Sequence, residues 1–160
     1  MGVPAGQAAV FFDVDGVLID SVGIKGELFA RAFSDFPEYR DRILALHVEH
    51  GGKPREDKIR MIHREVVGKN IGQVDLRRRM HIFSSESLQQ VSAAPEITGA
   101  NQALMQLSTW LPLHAISATP QNELEAILAF RGILHCFRSV HGVSQEKDGT
   151  IFELLSQHNY

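Results

Sequence analysis

Residues 10–21 read VFFDVDGVLIDS. The run AVFFDV, 9–14, is apolar and rich in β-formers, has no helical spacing, and predicts a buried strand of a parallel sheet. Asp13 and Asp15 stand where that strand ends, at positions of the same parity, so both side chains fall on one side of the strand end. Gly16 permits a sharp turn immediately after them. Open parallel α/β sheets bind their ligands at the carboxyl ends of the strands. Two carboxylates this close repel unless something positive sits beside them. Mg²⁺ is the usual partner, because it takes hard oxygen ligands and still keeps water and a substrate phosphate.

Outward from this stretch the period changes. Phe29, Ala32, Phe33 and Phe36 recur at helical spacing until Pro37 breaks the run, and Ile43 and Leu46 continue a helix up to HGGKP, 50–54. Gly51 and Gly52 stop it. Pro54 begins the next helix, on which Ile59, Ile62 and Val66 share a face. Residues 74–92 predict a further helix, and AAPEITGA, 93–100, is a linker by composition. Leu104 and Leu107 then mark a helix, and LPLHAIS, 111–117, a strand. Thr119 predicts an N-cap with Pro120 in the first helical position ahead of Leu124, Ile127 and Leu128. RSVHG, 138–142, predicts a short strand, and Ile151, Leu154 and Leu155 a last helix. The expected fold class is α/β: a Rossmann-like parallel sheet core, residues 1–19 and 93–160, with an all-helical cap, 20–92, inserted after the first strand.

Composition bounds the function classes. A hydrophobic fraction of 44% with 22% charged residues suits a globular chain, and no apolar run reaches the length of a membrane span. The start of the chain lacks a secretory-leader pattern, and Cys136 is the single cysteine, so a cytoplasmic protein without an internal disulfide is expected. Residues 38–80 carry 11 Lys/Arg against 7 Asp/Glu, whereas the other 117 residues carry 5 against 12. That basic middle suits an anionic ligand, with a solvated helical surface as the plainer reading. DLRRRMHIF, 75–83, does not predict nucleic-acid binding: consecutive arginines cover different faces of a helix, few aromatics interleave them, and a solvated face is expected. HVEH, 47–50, has metal-like spacing but no third ligand nearby, so zinc is not expected.

The string FFDVDGVLIDS, 11–21, resembles the first motif of the haloacid dehalogenase-like phosphatases, an apolar strand followed by Asp-x-Asp-Gly. The resemblance implies that Asp13 is the nucleophile that forms an aspartyl phosphate and that Asp15 is the general acid, then the general base. It also implies that Asp13 and the main-chain carbonyl of Asp15 bind Mg²⁺. Ser117, in LHAISATPQNEL, resembles the second motif, a hydroxyl that contacts the transferring phosphoryl group, assisted by the N–H of Ala118. Lys147, in SVHGVSQEKDGTIFELL, resembles the third motif, a lysine that neutralises phosphoryl charge.

The helical insertion resembles the caps of relatives of β-phosphoglucomutase and phosphoglycolate phosphatase, which can close over the site and exclude water. HGGKPREDKI, 50–59, resembles their substrate-specificity loop. It implies that Arg55 takes a second anionic group, helped by Lys58 and by Lys25 on the first cap helix. Solvent exposure is the competing reading for all three.

A fourth motif of the family, an acidic pair after another core strand, has no counterpart between Lys147 and Tyr160. The core is therefore expected to lack its last strands, with weak Mg²⁺ binding and an unpaired first strand that favours self-association. An incomplete reading frame, a cut chain and a shortened natural protein all fit. The expected function is Mg²⁺-dependent hydrolysis of a small phosphorylated metabolite, such as a sugar phosphate or phosphoglycolate. The alternatives are a phosphosugar mutase and an inactive remnant that binds phosphorylated ligands or a partner.

Overall fold

The computed structural model describes residues 8–143, 147–158 and 160. Residues 1–7, on which the leader reading bears, and 144–146, between Val143 and Lys147, lie outside the described residues. The chain divides into two compact units, Met1–Asp20 with Pro95–Tyr160, and Ser21–Ala94.

The first unit is built on a three-stranded parallel sheet in the order β1 (Val10–Phe12), β2 (Leu113–Ile116), β3 (Ser139–His141). Phe11 stands level with His114 and Ser139, and Phe12 with Ala115 and Val140. All four residues of the central strand β2 are buried, which explains its run of Leu113, Ala115 and Ile116. Parallel strands need a crossover. Between β2 and β3 it is the helix Gln121–Phe130, whose Leu124, Ile127 and Leu128 are buried. A helix at Ala100–Leu107 precedes β2, and another, Lys147–His158, follows β3. In chain order, with the four helices of the second unit, these are α5, α6 and α7.

The second unit consists of α1 (Val22–Ala32), α2 (Arg40–Glu49), α3 (Arg55–Glu65) and α4 (Gln73–Ser92). α1 packs on α2 and α4, and α3 on α4, around Leu28, Phe29, Phe33, Ile59, Ile62 and Phe83. Two expectations are corrected here. α1 stops at Ala32, so Phe36 lies beyond it, although Phe36 still packs on the core. The second concerns Arg79 of α4, which is not on a solvated face but only 1% exposed. Its guanidinium donates to the main-chain oxygen of Ala32 at 2.6 Å and to both carboxylate oxygens of Asp35 at 2.8 Å, and its Nε donates to Asp75 at 2.9 Å. Arg79 thus satisfies a carbonyl that the end of α1 leaves open, and it stacks 4.1 Å from the Phe33 ring.

Candidate active site

The loop that follows β1 is held by its own main chain. Val14 O accepts from the amides of Leu18 and Ile19 at 2.9 and 3.1 Å, Gly16 N donates to Ile19 O at 2.8 Å, and Gly16 has φ 77°. An L side chain at position 16 would be strained in that conformation. This fold back into the sheet buries Val14, Leu18 and Ile19 and leaves Asp13 and Asp15 partly exposed at the strand end.

Each aspartate meets a different later segment. Lys147 Nζ, in the first residue of α7, donates to Asp13 Oδ2 at 2.5 Å, and Asp13 Oδ1 accepts the Val14 N–H at 2.7 Å. Asp15 Oδ2 accepts the hydroxyls of Ser117 and Thr119, both at 3.3 Å. Ser117 is anchored by its amide, which donates to His141 O at 2.9 Å, while its Oγ accepts the amide of Thr119 at 3.1 Å. The Ala118 N–H has no acceptor among the described residues. The segments that follow β1 and β2 and the first residue of α7 therefore bring Asp13, Asp15, Ser117 and Lys147 together.

Thr119 is the residue that the sequence reading misplaced. It does not cap α6. Pro120 does, in an extended conformation with φ −52° and ψ 142°, and the Thr119 hydroxyl reaches Asp15 instead. The pre-proline position does not separate the two outcomes, because an N-cap and a residue before proline both lie outside the helical region. Two more residues were missed. Gln121 donates to Val140 O at 3.0 Å and accepts from Gly142 N at 2.5 Å, so one amide side chain ties the start of α6 to the end of β3. Gly142 sits so close that a Cβ there would lie 2.5 Å from Gln121 N and 2.7 Å from Thr119 O. Its neighbour Val143 donates its amide to Thr119 O at 2.9 Å.

The oxygen donors near the site are hard ones, the Asp13 carboxylate and the Asp15 main chain. They fit Mg²⁺ in kind. Among the described residues no three His, Cys, Asp or Glu side chains gather as a metal cage, so a cation there would draw on water and a phosphate as well.

In the helical unit, Arg55 and Lys58 are buried and Lys25 is partly buried. Arg55 donates to Ser84 Oγ at 2.6 Å and to Ser87 Oγ at 3.4 Å, and it lies 4.3 Å from the centre of the Phe83 ring. Lys58 Nζ is 3.0 Å from His47 Nδ1, and His47 Nε2 is 3.0 Å from Val22 O.

No protein-family model and no curated protein matches the chain. Solved structures do. A Haemophilus somnus protein named a predicted phosphoglycolate phosphatase superposes with a TM-score of 0.75 at 14% identity, over 97% of this chain and 73% of the other. A haloacid dehalogenase-like hydrolase from Streptococcus pneumoniae gives 0.68 at 20% identity, over 96% and 70%. A Thermotoga maritima protein provisionally named a beta-phosphoglucomutase gives 0.63 at 21%, over 96% and 72%. This chain has the haloacid dehalogenase-like fold. Within that fold, strand, helical insertion and resumed α/β sheet follow in the order expected from the sequence. Among the described residues, no helix is long and apolar enough to cross a membrane.

Proposed function

We propose that this chain is a phosphomonoester hydrolase that works through an aspartyl phosphate on Asp13. The observation that carries the reading is the 2.5 Å contact between Lys147 Nζ and Asp13 Oδ2, with Asp15 held beside Ser117 at the same strand ends. Asp13 attacks phosphorus while the bond to the leaving oxygen breaks, and the carboxyl proton of Asp15 passes to that oxygen. A water then attacks the phosphoenzyme and gives its proton to Asp15, and the bonding pair returns to Asp13. Lys147 and Ser117, with the Ala118 N–H, offset the charge on the phosphoryl oxygens. Bound Mg²⁺ would add positive charge at the phosphoryl group, with Asp13 and the Asp15 carbonyl as its protein ligands.

The substrate is a small phosphorylated metabolite. Arg55, with Lys58 and Lys25, is proposed to recognise a second anionic group on it, a role supported by a fork geometry that suits carboxylate or phosphate. Among the described strands β1 pairs on one side only, and we expect association through that edge, read by light scattering across a concentration series.

The test is chemical trapping as well as turnover. Incubation with acetyl phosphate or p-nitrophenyl phosphate and Mg²⁺, followed by borohydride, is expected to convert Asp13 to homoserine, seen by peptide mass spectrometry. Asp13→Asn is expected to abolish both the mark and any p-nitrophenyl phosphate turnover. Turnover that survives Asp13→Asn, or trapping at another residue, overturns the proposal.

A further inference from the structure

We propose that Thr119 is a positioning residue, whose hydroxyl holds the Asp15 carboxylate in the orientation that serves the leaving group. This rests on the function proposed above. Ser117 has one hydroxyl proton, and the structure directs it at Asp15 Oδ2. When Ser117 turns that proton to a phosphoryl oxygen, it can no longer restrain Asp15. Thr119 is the other hydroxyl on the same oxygen, so it is a restraint that remains through the reaction. Both contacts are 3.3 Å, and such bonds often tighten once substrate is bound. With Oδ2 engaged by Thr119, proton exchange with the leaving group falls to Oδ1.

The segment around Thr119 is built to hold that hydroxyl still. Its amide donates to Ser117 Oγ and its carbonyl accepts from Val143. The side chain of Gln121 bonds main-chain groups on either side of His141, the carbonyl of Val140 and the amide of Gly142. Gly142 lies against the main chain of both Thr119 and Gln121. Pro120 removes a further main-chain freedom at the next position. A side chain used only to start α6 needs none of this, and α6 takes its cap from Pro120.

The chemistry separates positioning from simple structural support. p-Nitrophenolate leaves without a proton, whereas an alkoxide needs one. Thr119→Val keeps the shape and removes the hydroxyl, and Thr119→Ser keeps the hydroxyl. Thr119→Val is expected to lower kcat on glycerol phosphate roughly 10- to 100-fold, within the range general acid catalysis supplies, with KM changed less than about 3-fold. On p-nitrophenyl phosphate the loss in kcat/KM, which counts only the steps up to the phosphoenzyme, is expected to stay below about 3-fold, and Thr119→Ser is expected to restore most of the glycerol phosphate rate. Equal losses of kcat/KM on the two substrates, or none, overturn the proposal. Where Thr119→Val does not fold, Thr119→Ala replaces it. If the parent chain turns over neither substrate, the hydrolase reading fails while the Thr119 contact is still decided, by the ¹³C signal of the Asp15 side-chain carboxyl, assigned with Asp15→Asn. A shift in Thr119→Val that Thr119→Ser reverses upholds the contact, and an unmoved signal overturns it.

Discussion

Lys147 Nζ and Asp13 Oδ2 lie 2.5 Å apart across 134 positions of sequence, and each is about one-third exposed. In water a pair so placed contributes little to stability. Under the function proposed above its importance lies in catalysis, because the same ammonium faces the carboxylate proposed as the nucleophile.

Lys147→Met is therefore expected to leave the melting temperature nearly unchanged and to lower kcat by about 10²–10³, the cost of removing one preorganised charge-stabilising group. Lys147→Arg is expected to recover part of the loss. Steady-state kinetics beside a thermal melt checks both.

Gly142→Ala tests the packing behind the site. The added methyl meets main-chain atoms of Thr119 and Gln121, which cannot swing aside as a flexible side chain can. Overpacking of this kind costs about 1–3 kcal/mol. The variant is expected to unfold at lower denaturant with an unchanged m-value and to lose kcat, because the Thr119 segment moves with it.

Arg79→Met removes the buried guanidinium that joins α1 to α4. The expected loss is about 3 kcal/mol, typical of breaking a buried ion pair, measured by urea denaturation. The hydrogen bond from Arg79 holds the Asp35 carboxyl down to about 2, against burial that raises it. The unfolded chain takes up that proton at a higher pH. The stabilisation is complete above roughly pH 4 and drains away as pH falls towards 2. Arg79→Met is expected to remove that acid-limb dependence.

His114 governs a separate window. It is fully buried on β2, stacks 5.1 Å from Phe11, and bonds Ser139 Oγ at 2.6 Å and the Tyr160 hydroxyl at 3.1 Å. Burial, helped by the neighbouring charges of His158, His141 and Arg138, pushes its pKa down from 6.5 to about 4. The unfolded chain therefore binds the proton first. Stability is full above about pH 6.5 and declines as pH falls towards 4. His141, also pushed down by burial, adds in the same direction. His114→Leu is expected to flatten the melting temperature over that interval, and a slope unchanged by the substitution contradicts the assignment.

Much of this was legible in the amino-acid order because local rules agreed with tertiary ones. The run to Phe12 is apolar without helical period, and it forms a strand; Leu124, Ile127 and Leu128 are spaced for a helix, and they face the core. The meeting of Asp13 with Lys147 had to be borrowed from a resemblance, since nothing in the spacing of two residues so far apart encodes a contact. What stayed hidden depended on partners distant in sequence. Phe36 kept a helical period that the chain does not follow, and Arg79 takes the carbonyl of Ala32 where α1 ends. Arg79 itself looked like its exposed neighbours, and only Asp35 and Asp75 reveal why it turns inward. Thr119 satisfied a capping rule while Pro120 was already filling that place.

The level alignment of Phe12, Ala115 and Val140 has a temporal consequence. The groups proposed to react are carried past the ends of strands whose pairing spans most of the polypeptide, so a chain that has wound its helices but not zipped its sheet has not brought them together. During refolding, the chemistry should switch on in step with the slowest, longest-range pairing event, well after most of the helical signal has returned.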